Sequence, residues 1–280
     1  MIKAMLAHKF DESRVDWNEL VFIQAKLDGV RCLFTKHGAF SRTGKKFMNI
    51  DHIERDLKEF FDENPDIVLD GELYNHELKH DFEKIISLVR KQKPTVEDRI
   101  NASRMIQYHV YDYVDGKDEV LSVRDSMRYQ MIGRLEDESS SIKLVRSYFV
   151  ESMRQAKTYH KHFLENGYEG SILRLNRPYE QKRSFGLMKF KDFSDKEATI
   201  IDYVPGKGKR QGTIGKFIMI DSEGVKFGCP PGKGFKHKHL AWMLANVDLF
   251  IGKTATFTYF QRTKAGSYRH PQFKAIRDYE

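Results

Sequence analysis

The feature that most constrains the fold of this chain is a change of character at Ser194–Asp195. Before it, segments with helical periodicity alternate with strand-like segments, whereas after it short strands predominate, with one helix near residues 239–245. The charge changes at the same place. Residues 196–280 carry 15 Lys and Arg against 7 Asp and Glu, which accounts for the whole net charge of +8. These two signals predict two domains, residues 1–194 and 195–280, in a chain of 280 residues.

The first predicted domain has the pattern of an α+β protein. Strands are predicted from runs rich in β-branched and aromatic residues, at 21–26, 30–35, 67–74, 105–114, 168–175 and 187–193. Helices are predicted from apolar residues at three- and four-residue spacing, at 51–61, 81–92, 123–135 and 151–166. Asp51 is the expected cap of the first helix, and Gly167 is expected to end the last one.

The composition excludes several classes of protein. Charged residues make up 31%, the mean hydropathy is −0.60, and no apolar run approaches the roughly 18 residues of a membrane span. The first ten residues lack the continuous apolar stretch of a secretory signal. Cys32 and Cys229 lie too far apart in sequence for a disulfide framework or a metal motif. We therefore expect a cytoplasmic protein from a reducing compartment with no membrane partner.

A lysine at the end of a predicted strand is a candidate nucleophile. In the segment Lys26-x-Asp28-Gly29-x-Arg31, Asp28 lies two residues after Lys26 on the same strand face, and Gly29 suits a tight turn. A lysine amine attacks only after it has lost its proton, so a working site needs other cations nearby. The ordinary alternative is a hairpin with an exposed lysine and an Asp-Gly turn.

This segment resembles the nucleotide-accepting motif of ATP-dependent DNA ligases, and further motifs of that family follow in the same order. Ser41–Lys45 is similar to the second motif, Leu69–Tyr74 to the third, and Tyr111–Tyr113 to the aromatic element that stacks on adenine. Glu169–Arg174 and Leu187–Phe193 are similar to the fourth and fifth. The resemblance implies a nucleotidyltransferase (adenylation) domain of antiparallel sheets flanked by helices, followed by an OB-fold β-barrel.

The resemblance also implies a reaction, the sealing of nicks in double-stranded DNA with ATP and Mg²⁺, for which Mn²⁺ can substitute. Lys26 would accept AMP as a phosphoramidate, AMP would pass to the 5′-phosphate of the nick, and the 3′-hydroxyl would displace it. Lys189 and Lys191 would be catalytic with Lys26, by offsetting charge on the transferring phosphoryl group. The implied metal ligands are Glu72 and Glu169. The implied nucleotide site consists of Gln24, Ala25, Lys26, Arg31, Arg42, Glu72, Tyr111, Lys189 and Lys191.

Spacing alone supports parts of this site. Asp70 and Glu72 are two residues apart and share a strand face, as do Lys189 and Lys191. Paired carboxylates beside a basic site suit a divalent cation or a ribose hydroxyl, and paired lysines suit a polyphosphate. The ordinary alternative for the carboxylates is a turn that enters a strand, and for the lysines it is an edge strand that they protect from pairing. Aromatic side chains also alternate along one predicted strand, at His109, Tyr111 and Tyr113. They either pack in the core or offer a surface on which a purine can stack.

The basic second domain is predicted to bind a phosphate backbone, although a solubilising charge bias is the ordinary alternative. Residues 206–212 form a basic loop that can follow phosphates without reading sequence, or a plain solvent loop. Arg31 and Arg42 are candidates for the 5′-phosphate or ribose, since a guanidinium binds phosphate in a bidentate way. The residues predicted to bind DNA are Arg42, Lys45, Lys207, Lys209, Arg210, Arg262, Lys264 and Arg269.

Three alternatives stay open. An RNA ligase or an mRNA-capping guanylyltransferase would use the same lysine chemistry, and a catalytically dead DNA-end-binding module would keep the same scaffold. Arg31 and the Ser41–Lys45 element favour DNA sealing. The sixth motif is only partly matched, because Arg277-Asp278 lacks the lysine expected to close it. Since the first motif begins 26 residues into the chain, we expect a minimal two-domain, monomeric ligase of bacterial, phage or viral origin, serving DNA replication, repair or recombination.

Overall fold

Two compact units make up the chain, residues 1–191 and 192–280. The computed structural model describes residues 2–191, 194–232, 234–263 and 265–277. The division between the units lies a few residues before the predicted boundary at 194/195. Both units mix strands and helices, so the predicted α+β class is confirmed.

In unit 1, residues 1–191, the described strands form two five-stranded sheets. The strands are β1 (Leu6–Lys9), β2 (Val21–Lys26), β3 (Val30–Thr35), β4 (Gly38–Ser41), β5 (Val68–Tyr74), β6 (Gln107–Val114), β7 (Ile142–Leu144), β8 (Ser147–Val150), β9 (Gly170–Leu175) and β10 (Arg183–Phe190). The first sheet has the order β1-β10-β9-β2-β8, and the second has the order β4-β3-β5-β6-β7. The predicted antiparallel pairing holds except at two edges, where β1 pairs with β10 and β7 with β6 in parallel. Neither edge strand is joined to its neighbour by a hairpin, so a parallel pairing is open to both.

The helices of unit 1 are α1 (Asp51–Asp56), α2 (Lys58–Glu63), α3 (Phe82–Val89), α4 (Val96–Met105), α5 (Leu121–Glu138) and α6 (Met153–Glu165). The helix predicted over 51–61 is interrupted at the buried Leu57, and its N-cap is Ile50 rather than Asp51. Helix α4 was not predicted because its apolar residues are few, although Thr95 and Asp98 form the capping box that marks its start. Within the described part of the chain, no helix is long and apolar enough to cross a membrane.

Each sheet of unit 1 has its own hydrophobic core. Helices α1 to α5 cover the second sheet, with Ile53, Ile85 and Ile132 buried against its apolar face. Helix α6 covers the first sheet and buries Ala156 and Phe163 against it. The polar residues discussed below are therefore held by two separately packed layers.

Two motif glycines are required by close packing. A Cβ at Gly29 would lie 2.4 Å from the carbonyl oxygen of Leu73, and a Cβ at Gly71 would lie 2.5 Å from that of His109. Gly29 does not have a positive φ, so the short connection between β2 and β3 needs a glycine here for space and not for a left-handed conformation. Gly29 lets the chain between β2 and β3 pass directly over β5.

Unit 2, residues 192–280, is a sheet domain with one α-helix in its described part. Its elements are β11 (Ser194–Pro205), β12 (Ile214–Ile220), β13 (Lys226–Cys229), α7 (His237–Ala245), β14 (Thr254–Tyr259), β15 (Gln261–Arg262), β16 (Tyr268–Arg269) and β17 (Gln272–Ile276). Five strands have the order β13-β12-β11-β14-β17, and β15 pairs with β16. The sheet edges meet where Phe273 N–H donates to the carbonyl of Pro230 (2.9 Å). Among the described residues, no strand ladder closes the sheet into the predicted barrel. The two sheet edges are connected there by the isolated β-bridge between Pro231 and Phe273.

Candidate active site

A cleft of about 260 Å³ in unit 1 is lined by strands of both sheets. The first sheet contributes residues of β1, β2, β9 and β10, and the second contributes residues of β3, β5 and β6. The cleft brings together most of the residues predicted to bind a nucleotide: Gln24, Ala25, Lys26, Arg31, Arg42, Glu72, Tyr111 and Lys189. These residues lie up to 165 positions apart in sequence, from Gln24 to Lys189, so only the fold could assemble them.

The candidate nucleophile, Lys26, is held by a buried carboxylate. Lys26 is the last residue of β2, and its Nζ donates to Oε2 of Glu169. The other oxygen of Glu169, Oε1, pairs with Nζ of Lys191. Only 6% of the Glu169 side chain is exposed. The backbone N–H of Glu169 donates to the carbonyl of Lys26 (3.0 Å), so the carboxylate is fixed beside the amine where β9 begins. One buried negative charge thus holds two lysines.

The two lysines of the fifth motif are placed by different means. Lys189 lies in β10 and lines the cleft, as the strand alternation predicts. Lys191 lies beyond Phe190, the last residue of that strand, and is oriented by its ion pair with Glu169. The two lysines therefore do not share one strand face as predicted, because β10 ends before Lys191.

Arg31 is built into the wall of the cleft. Its Nε and Nη2 donate to the two carboxylate oxygens of Asp70 at 2.9 and 2.5 Å, and Nη1 donates to the carbonyl of Met5 at 2.6 Å. Tyr179 also donates its hydroxyl to Asp70 (2.6 Å). A fully buried carboxylate therefore balances the charge of Arg31 in the cleft wall, and its predicted contact with a 5′-phosphate or a ribose stays a prediction. The involvement of Tyr179 was not predicted.

Glu72 is a carboxyl group with an unusual proton affinity. Burial raises the pKa of Glu72 to about 7, although the nearby charges of Lys26 and Arg31 act to lower it. Tyr111 donates its hydroxyl to Oε2 of Glu72 at 3.4 Å. This carboxyl can therefore gain or lose a proton near neutral pH in response to a charged ligand in the cleft.

A bulge in β6 presents Tyr111 to the cleft. Asp70 pairs with Asp112 and Gly71 with Val110, so Tyr111 is the extra residue between two ladder positions. The Arg31 guanidinium lies 5.5 Å from the centre of the Tyr111 ring. The prediction that Tyr113 shares this face is wrong, because the bulge turns Tyr113 into the hydrophobic core. The ring of Tyr111 stays partly exposed, as a base-stacking residue requires.

A buried network of charged residues supports the bulge, and its role was not predicted. Asp112 is 1% exposed and accepts hydrogen bonds from Nε and Nη2 of Arg124 (2.9 and 3.1 Å) and from Nη2 of Arg174. Burial alone would raise the pKa of Asp112, but the charges of Arg174 and Arg124 and their hydrogen bonds lower it to about 2. A sequence pattern could have revealed the network, because α5 places three charged residues between two apolar ones on its buried face, at helical spacing: Leu121, Arg124, Asp125, Arg128 and Ile132.

The carboxylates do not form a complete metal site by themselves. Among the described residues, no group of three or more His, Cys, Asp or Glu side chains is arranged to hold a metal ion. Mg²⁺ commonly takes only one or two carboxylates together with substrate phosphates. Glu72 and Glu169, both close to Lys26, fit that mode of binding.

The residues predicted to bind DNA are found in different environments. Arg42 is exposed and lines the cleft, and Lys45 is exposed in the turn that follows β4. In unit 2, Lys207, Lys209 and Arg210 are all exposed in the turn between β11 and β12. These five side chains are available to a phosphate backbone.

The other predicted DNA contacts in unit 2 are less available. Arg262 donates to Glu223 (2.6 Å) and to the buried Asp221 (3.0 Å), so its charge is balanced within the unit. The guanidinium of Arg269 lies 5.9 Å from the ring centre of Phe260. Lys264, like Asp192 and Phe193 of the fifth motif, lies outside the described residues. The structure therefore gives no support to Arg262 as a DNA contact, and its predicted role is untested.

Comparison with known proteins identifies both units. Residues 4–191 match the family described as ATP dependent DNA ligase domain, and residues 205–277 match the one described as DNA ligase OB-like domain. A DNA ligase of African swine fever virus (strain Badajoz 1971 Vero-adapted) is 30% identical over 212 residues, which cover 69% of this chain and 46% of that protein. A DNA ligase of Haemophilus influenzae is 25% identical over 226 residues, covering 79% and 75%. The chain spans about half the length of the viral relatives that it matches.

Solved structures agree with this assignment at the level of the fold. A structure from a study of Lig E DNA ligases superposes with a TM-score of 0.79 at 23% identity, covering 99% of this chain and 100% of that one. The Chlorella virus DNA ligase-adenylate superposes with a TM-score of 0.54 at 25% identity, covering 100% and 99%. The first family match alone covers well over half of the chain and includes the whole cleft. The chain therefore belongs to the ATP-dependent DNA ligase family.

Proposed function

We propose that this protein is an ATP-dependent DNA ligase that seals nicks in double-stranded DNA through a lysyl-AMP intermediate. The observation that carries the proposal is the position of Lys26, whose Nζ lies in the cleft against a buried carboxylate, Glu169, that also binds Lys191. A carboxylate at this position can take the proton that the amine must lose before it attacks. The ion pairs also keep the long lysine side chains ordered at the reacting centre.

In the first step, the lone pair of Lys26 Nζ forms a bond to the α-phosphorus of ATP while the bond to the bridging oxygen breaks and pyrophosphate leaves. Lys189, which lines the same cleft, supplies a positive charge close to the transferring phosphoryl group. The partly exposed ring of Tyr111 offers a surface on which the adenine can stack. Gln24 and Ala25, which precede the nucleophile on β2, form the adjoining wall.

The two later steps take place at the same lysine. An oxygen of the nick 5′-phosphate attacks the phosphorus of lysyl-AMP, and Lys26 leaves. The product is a DNA-adenylate in which AMP is joined to the 5′-phosphate by a pyrophosphate linkage. The 3′-hydroxyl then attacks the 5′-phosphorus, and AMP leaves with the bridging oxygen. Arg42, exposed at the cleft, is the residue that we assign to the 5′-phosphate, because its guanidinium has no ion pair among the described residues.

We assign Mg²⁺ to Glu72 and Glu169, with Mn²⁺ as a substitute. The metal would neutralise negative charge on the phosphates of ATP. Both carboxylate oxygens of Glu169 also pair with lysines, Oε2 with Lys26 and Oε1 with Lys191, so metal binding and these ion pairs compete for the same oxygens.

We propose that the second domain, residues 195–280, binds the duplex. The exposed cations Lys207, Lys209 and Arg210, together with Lys45 of unit 1, can contact backbone phosphates without reading sequence. The proposed partner of the chain is therefore nicked duplex DNA, which the chain binds as a monomer.

The test is covalent labelling. Wild-type protein mixed with magnesium and α-labelled ATP should retain the label, and Lys26→Ala should not. Lys161→Ala, which changes an exposed lysine on α6, is the matched control and should label as the wild type does. Lys26→Ala should still seal a nick whose 5′ end already carries AMP, because that substrate enters after the first step.

Other outcomes would replace the proposal. Label retained from α-labelled GTP rather than ATP would indicate a capping guanylyltransferase, and label retained from neither would indicate a DNA-end-binding module. Sealing of RNA/RNA duplexes in preference to DNA/DNA would indicate an RNA ligase.

A further inference from the structure

Arg174 joins the two sheets of unit 1 at the back of the cleft. It lies on β9, it is 3% exposed, and its Nη1 donates to the backbone carbonyl of Tyr111 at 2.7 Å. The same nitrogen lies 3.3 Å from Oε1 of Gln24 on β2, and Nη2 donates to Asp112. A single guanidinium thus contacts the strand that carries the nucleophile and the strand that carries the aromatic ring.

The carbonyl that Arg174 binds needs a donor. Tyr111 is the bulged residue of β6, and it lies outside the ladder register with β5. A buried carbonyl without a partner is costly, and here two donors of the first sheet reach it, Arg174 Nη1 and Gln24 Nε2 (3.3 Å). Side chains of the other sheet therefore hold the backbone of the bulge at Tyr111.

The two contacts of Arg174 connect both ends of the nucleotide site. Gln24 lies two residues before Lys26 on the same strand, so holding it fixes the amine. The Tyr111 ring is close to both Arg31 and Glu72, and its direction follows from the bulge. The distance between the reacting amine and the ring that receives the base therefore depends on Arg174.

We propose that Arg174 is a positioning residue for ATP, which it serves by holding the Tyr111 bulge at a fixed distance from the strand of Lys26. The inference rests on the proposed adenylation of Lys26. Asp112 orients the guanidinium through Nη2 and keeps its charge balanced. Arg174 lines the back of the cleft, and it positions the nucleotide through its contacts with Tyr111 and Gln24.

The first experiment compares Arg174→Lys with Arg128→Lys in the full chain. Arg128 is the matched control because it is equally buried and also donates to a carbonyl of β6, that of Val110 (2.8 Å), while its other hydrogen bonds reach Asp125, Val145 and Ser147 and not the carbonyl of Tyr111. The rate of covalent AMP uptake is measured against ATP concentration. Arg174→Lys should raise the half-saturating ATP concentration by about tenfold or more, since a hydrogen bond from a charged group is lost. Arg128→Lys should change it by less than about twofold, whatever its effect on thermal stability.

The second experiment asks whether Arg174 acts through the ring. Tyr111→Leu should itself raise the half-saturating ATP concentration. If the main role of Arg174 is to position that ring, adding Arg174→Lys to Tyr111→Leu should raise the value by a clearly smaller factor than Arg174→Lys does in the wild type. A purely structural arginine would give independent effects, so additive effects in the double variant would overturn the proposal.

A third variant guards against misfolding of Arg174→Lys. Gln24→Met keeps the shape of the side chain but removes its contact with the Tyr111 carbonyl, and the Asp112 ion pairs remain. It should raise the half-saturating ATP concentration in the same direction by a smaller factor, and no change would contradict the proposal. If the wild type takes up no AMP, the proposed function fails. If the wild type labels and Arg174→Lys behaves as Arg128→Lys does, only this inference fails.

Discussion

The buried carboxylate of Asp112 allows a quantitative test of what holds unit 1 together. In Asp112→Asn the side chain keeps its size and one acceptor oxygen, but it loses the charge that balances Arg124 and Arg174. Both guanidinium side chains are at most 4% exposed, so neither can turn to water for compensation. Removing one partner of such a buried pair typically costs about 3 to 5 kcal/mol.

The pKa of Asp112 gives a second measure. It lies at about 2 in the folded protein against the usual 3.8, and at about 1.4 kcal/mol per pKa unit this corresponds to about 2 to 3 kcal/mol of stabilisation. Because the folded pKa lies below the unfolded one, this contribution is complete above about pH 4 and is lost as the pH falls through about 2. We therefore expect a loss of about 2 to 5 kcal/mol at pH 7, a large part of a typical stability of roughly 5 to 15 kcal/mol.

Urea unfolding at pH 7, with fluorescence detection, measures this loss. Trp17 belongs to unit 1 and Trp242 to unit 2, so a Trp242→Phe background isolates the unit that contains Asp112. Asp62→Asn, which removes an exposed ion pair with Lys58, is the control and should cost less than about 1 kcal/mol. A loss below about 1 kcal/mol for Asp112→Asn, or a loss that does not shrink below pH 3, would refute the reasoning.

Three further predictions follow from the charges. Burial raises the pKa of Glu72 from 4.5 to about 7, so the free energy of unfolding of the wild type should fall as the pH rises from about 5 to 7. In urea titrations over that interval, Glu72→Gln should lose less of this free energy than the wild type. Equal losses would contradict the raised pKa. Replacing Arg42 and Lys45 together by Ala should weaken nick binding and lower the slope of log affinity against log salt by up to about 2, with Lys161→Ala unchanged. Replacing Lys207, Lys209 and Arg210 by Ala should lower that slope by up to about 3, and an unchanged slope would mean that this turn does not touch the backbone.

Much of the fold was predictable because it depends on local patterns. Apolar periodicity gave most strands and helices of unit 1, and Gly167, with a φ of 84°, ends α6 as expected. The elements that were missed lack such patterns: α4 has few apolar residues, and the edge strands β1, β4, β7 and β8 are only three or four residues long. Their conformations depend on the sheets and helices that they join, and so on contacts that sequence periodicity does not record.

The sequence is enough to single out the groups predicted to carry the chemistry: the lysine at position 26, the ordered motifs that resemble those of DNA ligases, and the concentration of positive charge after residue 195. The tertiary structure alone decided how these groups are held. Glu169 binds Lys26 across 143 positions, and Arg174 reaches Gln24 across 150. The bulge that exposes Tyr111 and buries Tyr113 arises in the pairing of β5 with β6. Such features depend on which strands lie side by side, and a residue's chemical type and spacing carry that information only for neighbours along the chain.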